Sequence, residues 1–173
     1  MTRRTWLTGT AGLGLLGLGV FTFGERGGKG ASAAPGEEKF EVEMTPEQWR
    51  AKLTPEQYRV LRDHGTERAG SSPLDHEKRP GVFHCAGCDL PVYSSSAKFD
   101  SGTGWPSFWE PLPNAVRTRD DSSFFMTRTE VHCRRCGGHL GHVFDDGPKP
   151  TGLRYCMNGA ALTFKAGEKP PAS

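Results

Sequence analysis

An excess of charge of either sign is absent from this sequence: 22 Lys and Arg face 20 Asp and Glu, a formal net charge of +2. That balance offers no basic footprint to a nucleic acid and no polycationic face to an anionic membrane. Long apolar runs are missing too. The uncharged stretch Ala11–Gly24 is short and rich in glycine, so it would span a bilayer poorly. Hydrophobic residues are 35% of the chain, a soluble but slightly lean composition. Repeat architecture is excluded, because the duplicated "TPEQ" at Thr45 and Thr54 is too short a unit. What the chain has in quantity is glycine, 23, and proline, 13, which favours many turns and short strands over a helical bundle. Its 173 residues suit one domain plus extras.

The extras lie at the ends. Arg3 and Arg4 precede Trp6, Leu7 and the apolar stretch, and "ASA" at Ala31–Ala33 offers an A-x-A cleavage site. Residues 1–33 therefore read as a signal peptide of the twin-arginine type, and export to the periplasm or another extracytoplasmic space is expected. An uncleaved membrane anchor is the alternative. Cleavage would remove Arg3, Arg4, Glu25, Arg26 and Lys29 and leave a nearly neutral domain. Residues 34–44 are expected to form a flexible linker, 45–165 the domain, and 166–173 a polar tail.

Within the domain each "TPEQ" places Thr at a helix N-cap, Pro at the first helical position and Gln three residues after the cap. Two short helices are predicted, about 45–52 and 54–63, burying Trp49, Leu53, Tyr58 and Leu61. From Gly81 onward strands follow. "GVFHC" and "LPVYSS" flank one cysteine pair, and "AVRTR", a turn at Asp120-Asp121 and "SSFFMTRTEVHC" form a hairpin into a second pair. "GLRYCMNGAALTFK" supplies one or two closing strands. The expected fold is mainly β and antiparallel, with two small helices at its N-terminal side.

The cysteines form two C-x-x-C pairs, Cys85 with Cys88 and Cys133 with Cys136, separated by 44 residues. Each tight turn can offer two thiolates to one tetrahedral ion, so structural zinc is the leading expectation. With four protein ligands no position stays open for water. Such an ion would tie two distant hairpins together in a domain with a modest core. Disulfides are the alternative for an exported protein, and a thioredoxin-type redox pair is a third. Neither pair sits where a strand runs into a helix, which disfavours the third. His84 and His132 each precede a cysteine, as outer donors to the metal ligands or as ordinary surface imidazoles.

Cys156 remains. An unpaired cysteine is usually an inert core residue. On an extended strand, however, Arg154, Cys156 and Asn158 share one face, with Tyr155 and Met157 on the other. A guanidinium beside a thiol favours the thiolate. "GGHLGHVFDDGP" adds His139 and His142, able to donate a proton or hold a substrate oxygen, or to be plain turn residues. "SGTGWPSFW" concentrates Trp105, Phe108 and Trp109, either core packing or the wall of a pocket for a small apolar group.

"KFDSGTGWPSF", "GGHLGHVFDDGP" and "RYCMN", with both C-x-x-C pairs in register, resemble the methionine-R-sulfoxide reductases, the B-type methionine sulfoxide reductases. The resemblance runs from about Thr45 to Lys165 and includes "TPEQYRVLRDHGTE". It implies a β-tent-like fold of two antiparallel sheets with one zinc site made of four cysteines. It implies reduction of the R epimer of methionine sulfoxide, in proteins and peptides or as the free amino acid, by Cys156 as nucleophile. Trp105, with Phe144, would hold the substrate methyl group. His139, His142 and Asn158 would bind the sulfoxide oxygen, and Arg154 would keep Cys156 ionised. Attack would leave Cys156 as a sulfenic acid. Two positions depart from the family. Thr103 stands where many members carry a resolving cysteine, so a thioredoxin-like or other external thiol is the expected reductant. Gly159 stands where serine is common, which suggests a looser local strand. A monomer is expected. Two other functions stay open: a non-catalytic zinc-ribbon-like binding module, and a thiol–disulfide exchange protein using the C-x-x-C pairs.

Overall fold

The structure is a computed structural model that describes residues 38–122 and 127–171. The expected leader, 1–33, and residues 34–37 lie outside the described residues. No helix among the described residues is long and apolar enough to cross a membrane.

Both capping boxes form as the local sequence dictates. Helix α1 spans Pro46–Lys52 and α2 spans Pro55–Leu61, each with proline in its first turn. The hydroxyls of Thr45 and Thr54 accept the Gln48 and Gln57 backbone N–H groups. The glutamine side chains in turn accept the threonine N–H groups at 2.8 and 3.0 Å. Trp49, Leu53 and Leu61 are buried as expected, and so is Val60. Tyr58 is only half-buried, and Arg50 lies over its ring at 4.5 Å.

Nine strands follow in two antiparallel sheets. Strands β1 (Gly81–Cys85), β2 (Pro91–Ser94) and β9 (Leu162–Ala166) form a three-stranded sheet in the order β2-β1-β9. The larger sheet is built from β3 (Lys98–Phe99), β4 (Ser107–Phe108), β5 (Val116–Asp121), β6 (Arg128–Cys133), β7 (His139–Phe144) and β8 (Arg154–Met157). Its order is β3-β4-β8-β7-β6-β5. Between the sheets Tyr93 stacks on Phe108 at 4.3 Å, and Phe108 meets Phe83 edge-on at 5.0 Å. All three rings are fully buried, a contribution of roughly 2–3 kcal/mol each.

Two expectations are corrected here. Asp120 and Asp121 are not the hairpin turn. They belong to β5, opposite Thr129 and Arg128. Asp121 pairs with the Arg128 guanidinium at 2.8 Å, so cross-strand charge pairing overrides the turn preference of aspartate. The linker is also shorter than read, because the folded unit begins at Glu38. Phe40 packs edge-on against His132, the Val42 N–H donates to Arg135 O at 3.0 Å, and Glu41 pairs with Arg134. In the segment after β9, Glu168 reaches back to His84 at 3.0 Å.

Candidate active site and thiolate cluster

The two C-x-x-C turns meet. Cys85 and Cys136 sulfurs lie 3.7 Å apart, and those of Cys88 and Cys133 lie 3.5 Å apart. All four sulfurs fall within 4.8 Å of one another. A disulfide would need about 2.05 Å, and all five cysteines are free. Sulfurs around one tetrahedral ion at a bond length of about 2.3 Å would sit nearly 4 Å apart, so the donor set and its spacing fit a metal ion. The four thiols are linked through hydrogen bonds between their sulfurs, which hold Cys88 and Cys133 below their ordinary value and push Cys85 and Cys136 above it. His84 and His132 are neither surface imidazoles nor bonded to sulfur. Both are buried, His84 between Asp89 O and Glu168, His132 against Glu38.

The second site follows from register. Ser107 on β4 lies opposite Cys156 on β8, Cys156 opposite His142 on β7, His142 opposite Glu130 on β6, and Glu130 opposite Arg119 on β5. Directly paired residues share a face, so one lateral row crosses five strands. Glycine at 141 permits this approach, since a Cβ there would lie 2.1 Å from the Cys156 carbonyl oxygen.

Cys156 opens into a cavity of about 130 Å³ walled by Trp105, His142, Phe144 and Asn158. Thr66 and Arg128, which sequence reasoning missed, complete it. The Trp105 indole donates to Glu67 O at 3.2 Å, which fixes the ring. Arg154 lies two residues before Cys156 on the same strand face. Its guanidinium forks onto Asp146 with two 2.8 Å bonds and lies over the Phe144 ring at 4.4 Å. The other face of β8 is core: Met157 is fully buried beneath the Tyr93 hydroxyl, at 3.1 Å. The alternation expected for "RYCMN" is therefore the one observed.

Three expected site residues sit differently. Burial pushes the Cys156 thiol up, and Thr103, Arg154 and Ser107 oppose this without reversing it. Arg154 thus moderates a resting thiol; it does not by itself secure a thiolate. Asn158 is committed to the backbone: its Oδ1 accepts the Glu67 N–H at 2.9 Å and its Nδ2 donates to Leu140 O at 3.2 Å. One amide N–H remains for the cavity. His139 does not line the Cys156 cavity. It packs behind His142, ring centroids 5.3 Å apart, on an adjoining polar cavity of about 480 Å³ that shares Thr66, Arg128 and His142. His142 is held by Asp121 at 2.8 Å, and burial keeps its imidazole below the ordinary value despite that carboxylate.

Thr103 Oγ1 lies 3.9 Å from Cys156 Sγ, with Ser101 at 2.8 Å behind it. Gly159 is not loose. It is buried and opens a 3-10 turn, and its N–H donates to the Glu67 carboxylate at 2.6 Å. Glu67 was missed although "HGTE" contains it. Its carboxylate also accepts the Ala160 N–H at 2.7 Å, while burial pushes its pKa up.

The SelR domain model matches residues 53–166. This chain belongs to the B-type methionine sulfoxide reductase family. It is 60% identical over 121 residues to "Peptide methionine sulfoxide reductase MsrB" of Thiobacillus denitrificans, covering 69% of this chain and 92% of that protein. The protein of the same name from Methanosarcina barkeri is 54% identical over 129 residues, covering 74% and 91%. "Peptide methionine sulfoxide reductase B1, chloroplastic" of Oryza sativa is 50% identical over 131 residues, 75% of this chain and 61% of that longer protein. The matched span contains both C-x-x-C turns and the whole Cys156 row.

Proposed function

We propose that this family member reduces the R epimer of peptide-bound methionine sulfoxide through Cys156, with one zinc ion held by Cys85, Cys88, Cys133 and Cys136. The observation that carries the reading is the placement of Cys156 at a small cavity between an indole and an imidazole, with the other four cysteines gathered in a separate four-sulfur cluster. A cavity of about 130 Å³ suits the thioether end of a methionine sulfoxide side chain. The relatives' names, peptide methionine sulfoxide reductases, favour peptide-bound substrate.

The chain's own residues divide the work. Trp105 and Phe144 enclose the methyl group. His142 and the remaining Asn158 N–H face the oxygen and draw electron density from the S–O bond. Cys156 loses its proton with help from the Arg154 guanidinium and the Thr103 and Ser107 hydroxyls, and its sulfur attacks the sulfoxide sulfur. The oxygen passes to Cys156 as a sulfenic acid and the thioether leaves. Zinc, when bound, ties the β1–β2 turn to the β6–β7 turn and takes no part at Cys156. With Thr103 in place of a resolving thiol, an external thiol, thioredoxin-like or smaller, attacks the sulfenic sulfur and releases water, leaving a mixed disulfide on Cys156; a second thiol from the reductant then frees Cys156 as a thiol and leaves the reductant as a disulfide. The protein is expected to act as a monomer. The Arg3-Arg4 leader directs the protein to a compartment outside the cytoplasm, one in which oxidants reach proteins first.

An epimer-resolved assay on peptide methionine sulfoxide with several thiol donors tests this. Wild type is expected to consume only the R epimer, and Cys156→Ser to lose all activity while keeping one zinc. Activity that survives Cys156→Ser and follows the C-x-x-C cysteines would establish thiol–disulfide exchange instead.

A further inference from the structure

We propose that Glu130 is a positioning residue for the reduction step: by accepting the Nδ1–H of His139 it fixes that ring so that Nε2 is the nitrogen that hands a proton to the sulfoxide oxygen where the Cys156 cavity meets the adjoining polar cavity that His139 lines, while His142 and Asn158 hold that oxygen from the Cys156 side. This deepens the reductase reading and rests on it.

The geometry is specific. Glu130 Oε1 lies 2.7 Å from His139 Nδ1, and both side chains are almost fully buried, at 4% and 2% exposure. Oε1 also meets His64 Nδ1 at 3.2 Å, and Oε2 is held by the Arg119 guanidinium. With its oxygens occupied on three sides the carboxylate cannot turn, and the ring it anchors cannot turn either. On the far side of that ring Nε2 is buried with no hydrogen-bond partner among the described residues. Buried ring nitrogens are nearly always paired in folded proteins. A sheet-stabilising network would account for the Arg119 and His64 contacts. It does not account for an unpaired nitrogen beside the imidazole that walls the Cys156 cavity.

The two histidines are clamped at opposite nitrogens. Asp121 holds His142 through Nε2, and Glu130 holds His139 through Nδ1. The unclamped nitrogens are therefore His142 Nδ1 and His139 Nε2, and the rings present different atoms to a bound oxygen. The charged groups around the pair are Asp63 and His64 after α2, Arg119, Asp120 and Asp121 on β5, and Arg128 on β6. Glu130 remains a carboxylate among them: burial pushes its pKa up, but His139, His64 and Arg119 outweigh burial and hold it well below the ordinary range.

In the step itself Cys156 sulfur forms a bond to the sulfoxide sulfur, its thiol proton having been lost. The oxygen then moves to Cys156 as the S–O bond to the substrate breaks. His139 enters this step as an imidazolium, with Nδ1–H on Glu130 and a second proton, equivalent to the one the thiol released to solvent, on Nε2; Nε2–H gives the oxygen its proton and the ring is left neutral with Nδ1–H on Glu130. The thiol proton lost and the oxygen proton gained balance, and the two electrons that reduce the substrate come from Cys156, which ends as a sulfenic acid.

Full-length, metal-loaded wild type, Glu130→Gln and Glu130→Asp are compared in single turnover on a peptide methionine-R-sulfoxide, from pH 5 to 9, with zinc content measured on the same samples. Glutamine keeps the size but can turn an N–H toward His139 and favour the other tautomer. Glu130→Gln is expected to slow methionine formation on the order of 100-fold, with half-saturating substrate within about 3-fold, and to displace the acid side of the rate profile. Glu130→Asp is expected to recover part of the rate. Long-range 15N NMR on wild type reads the tautomer directly and decides the matter where Glu130→Gln does not fold; Nδ1–H on His139 is expected. A folded, zinc-replete Glu130→Gln with wild-type rate and profile, or a wild-type His139 protonated at Nε2 alone, overturns the proposal. A wild type that reduces neither epimer sinks the functional reading instead, whatever the tautomer.

Discussion

Gly159 opens the 3-10 turn that follows β8, and the structure shows what a side chain there would cost. A Cβ built on Gly159 would lie 2.0 Å from Ser72 Oγ, 2.4 Å from Ser72 Cβ and 3.3 Å from Glu67 Oε1. The hydroxyl can rotate away, but it then gives up the Leu74 N–H that it caps at 3.2 Å, a loss of about 1 kcal/mol. The Ser72 Cβ cannot rotate away, so backbone must shift. Overpacking of this kind costs roughly 1–3 kcal/mol. With a urea m-value of about 2 kcal/mol/M, Gly159→Ala should lower the unfolding midpoint by roughly 0.5–1.5 M. Removing only the hydroxyl, in Ser72→Ala, leaves the Cβ obstruction at 2.4 Å, which cannot rotate away, in place and should rescue little. Ser72→Gly removes both atoms and should rescue most of the loss, with a coupling on the order of 1 kcal/mol in the double-mutant cycle. The same turn carries Asn158 and is clamped by Glu67, so Gly159→Ala should also slow turnover. Urea unfolding of the single and double variants beside wild type is the assay. A wild-type midpoint for Gly159→Ala, or equal rescue by Ser72→Ala and Ser72→Gly, would refute the reasoning.

Thr103→Cys should form an internal disulfide with Cys156 after one turnover, visible as a two-hydrogen mass loss in the sulfur-bridged peptide pair, because the threonine hydroxyl already lies 3.9 Å from Sγ. Stripping the metal with a thiol-directed mercurial plus chelator should release one zinc per chain and lower the melting temperature by many degrees, since ligand bound only to the native state adds directly to its stability; an unchanged melting temperature would show that the cluster is not structural. Alkylation of Cys156 should accelerate with a midpoint above the ordinary thiol value, since burial raises it, and Arg154→Met should move that midpoint higher still. Glu130 has a depressed native pKa, so its stabilisation is fully present above the unfolded value near 4.3 and is lost as pH falls below it. The stability of a folded Glu130→Gln should accordingly vary less with pH below about pH 4, read by denaturant midpoints.

Features that depend on neighbours in the chain were legible in the sequence. Each capping box closes within four residues, so Thr45 and Thr54 announced their helices. Each C-x-x-C turn is local, and only the meeting of the two turns needed the fold. The period of a strand placed Arg154 and Cys156 on one face with Met157 opposite. What stayed hidden required knowing which strand lies beside which. Glu130 reads as one polar residue in "TEVHC", and only β5 and β7 on its two sides bring it Arg119 and His139. Asp121 reads as a turn residue until Arg128 and His142 claim it. Glu67 lies 91 residues from Asn158, whose amide its backbone holds.

The row from Ser107 to Arg119 has a consequence for how this protein can diverge. Its five members come from five strands, and each faces the cavity side only because the strands are in step. Deleting or inserting one residue inside β4, β5, β6, β7 or β8 would invert that strand's inward and outward residues and remove its member from the line. Length changes in the lineage should therefore collect in the connecting segments, and never in an odd number within those five strands.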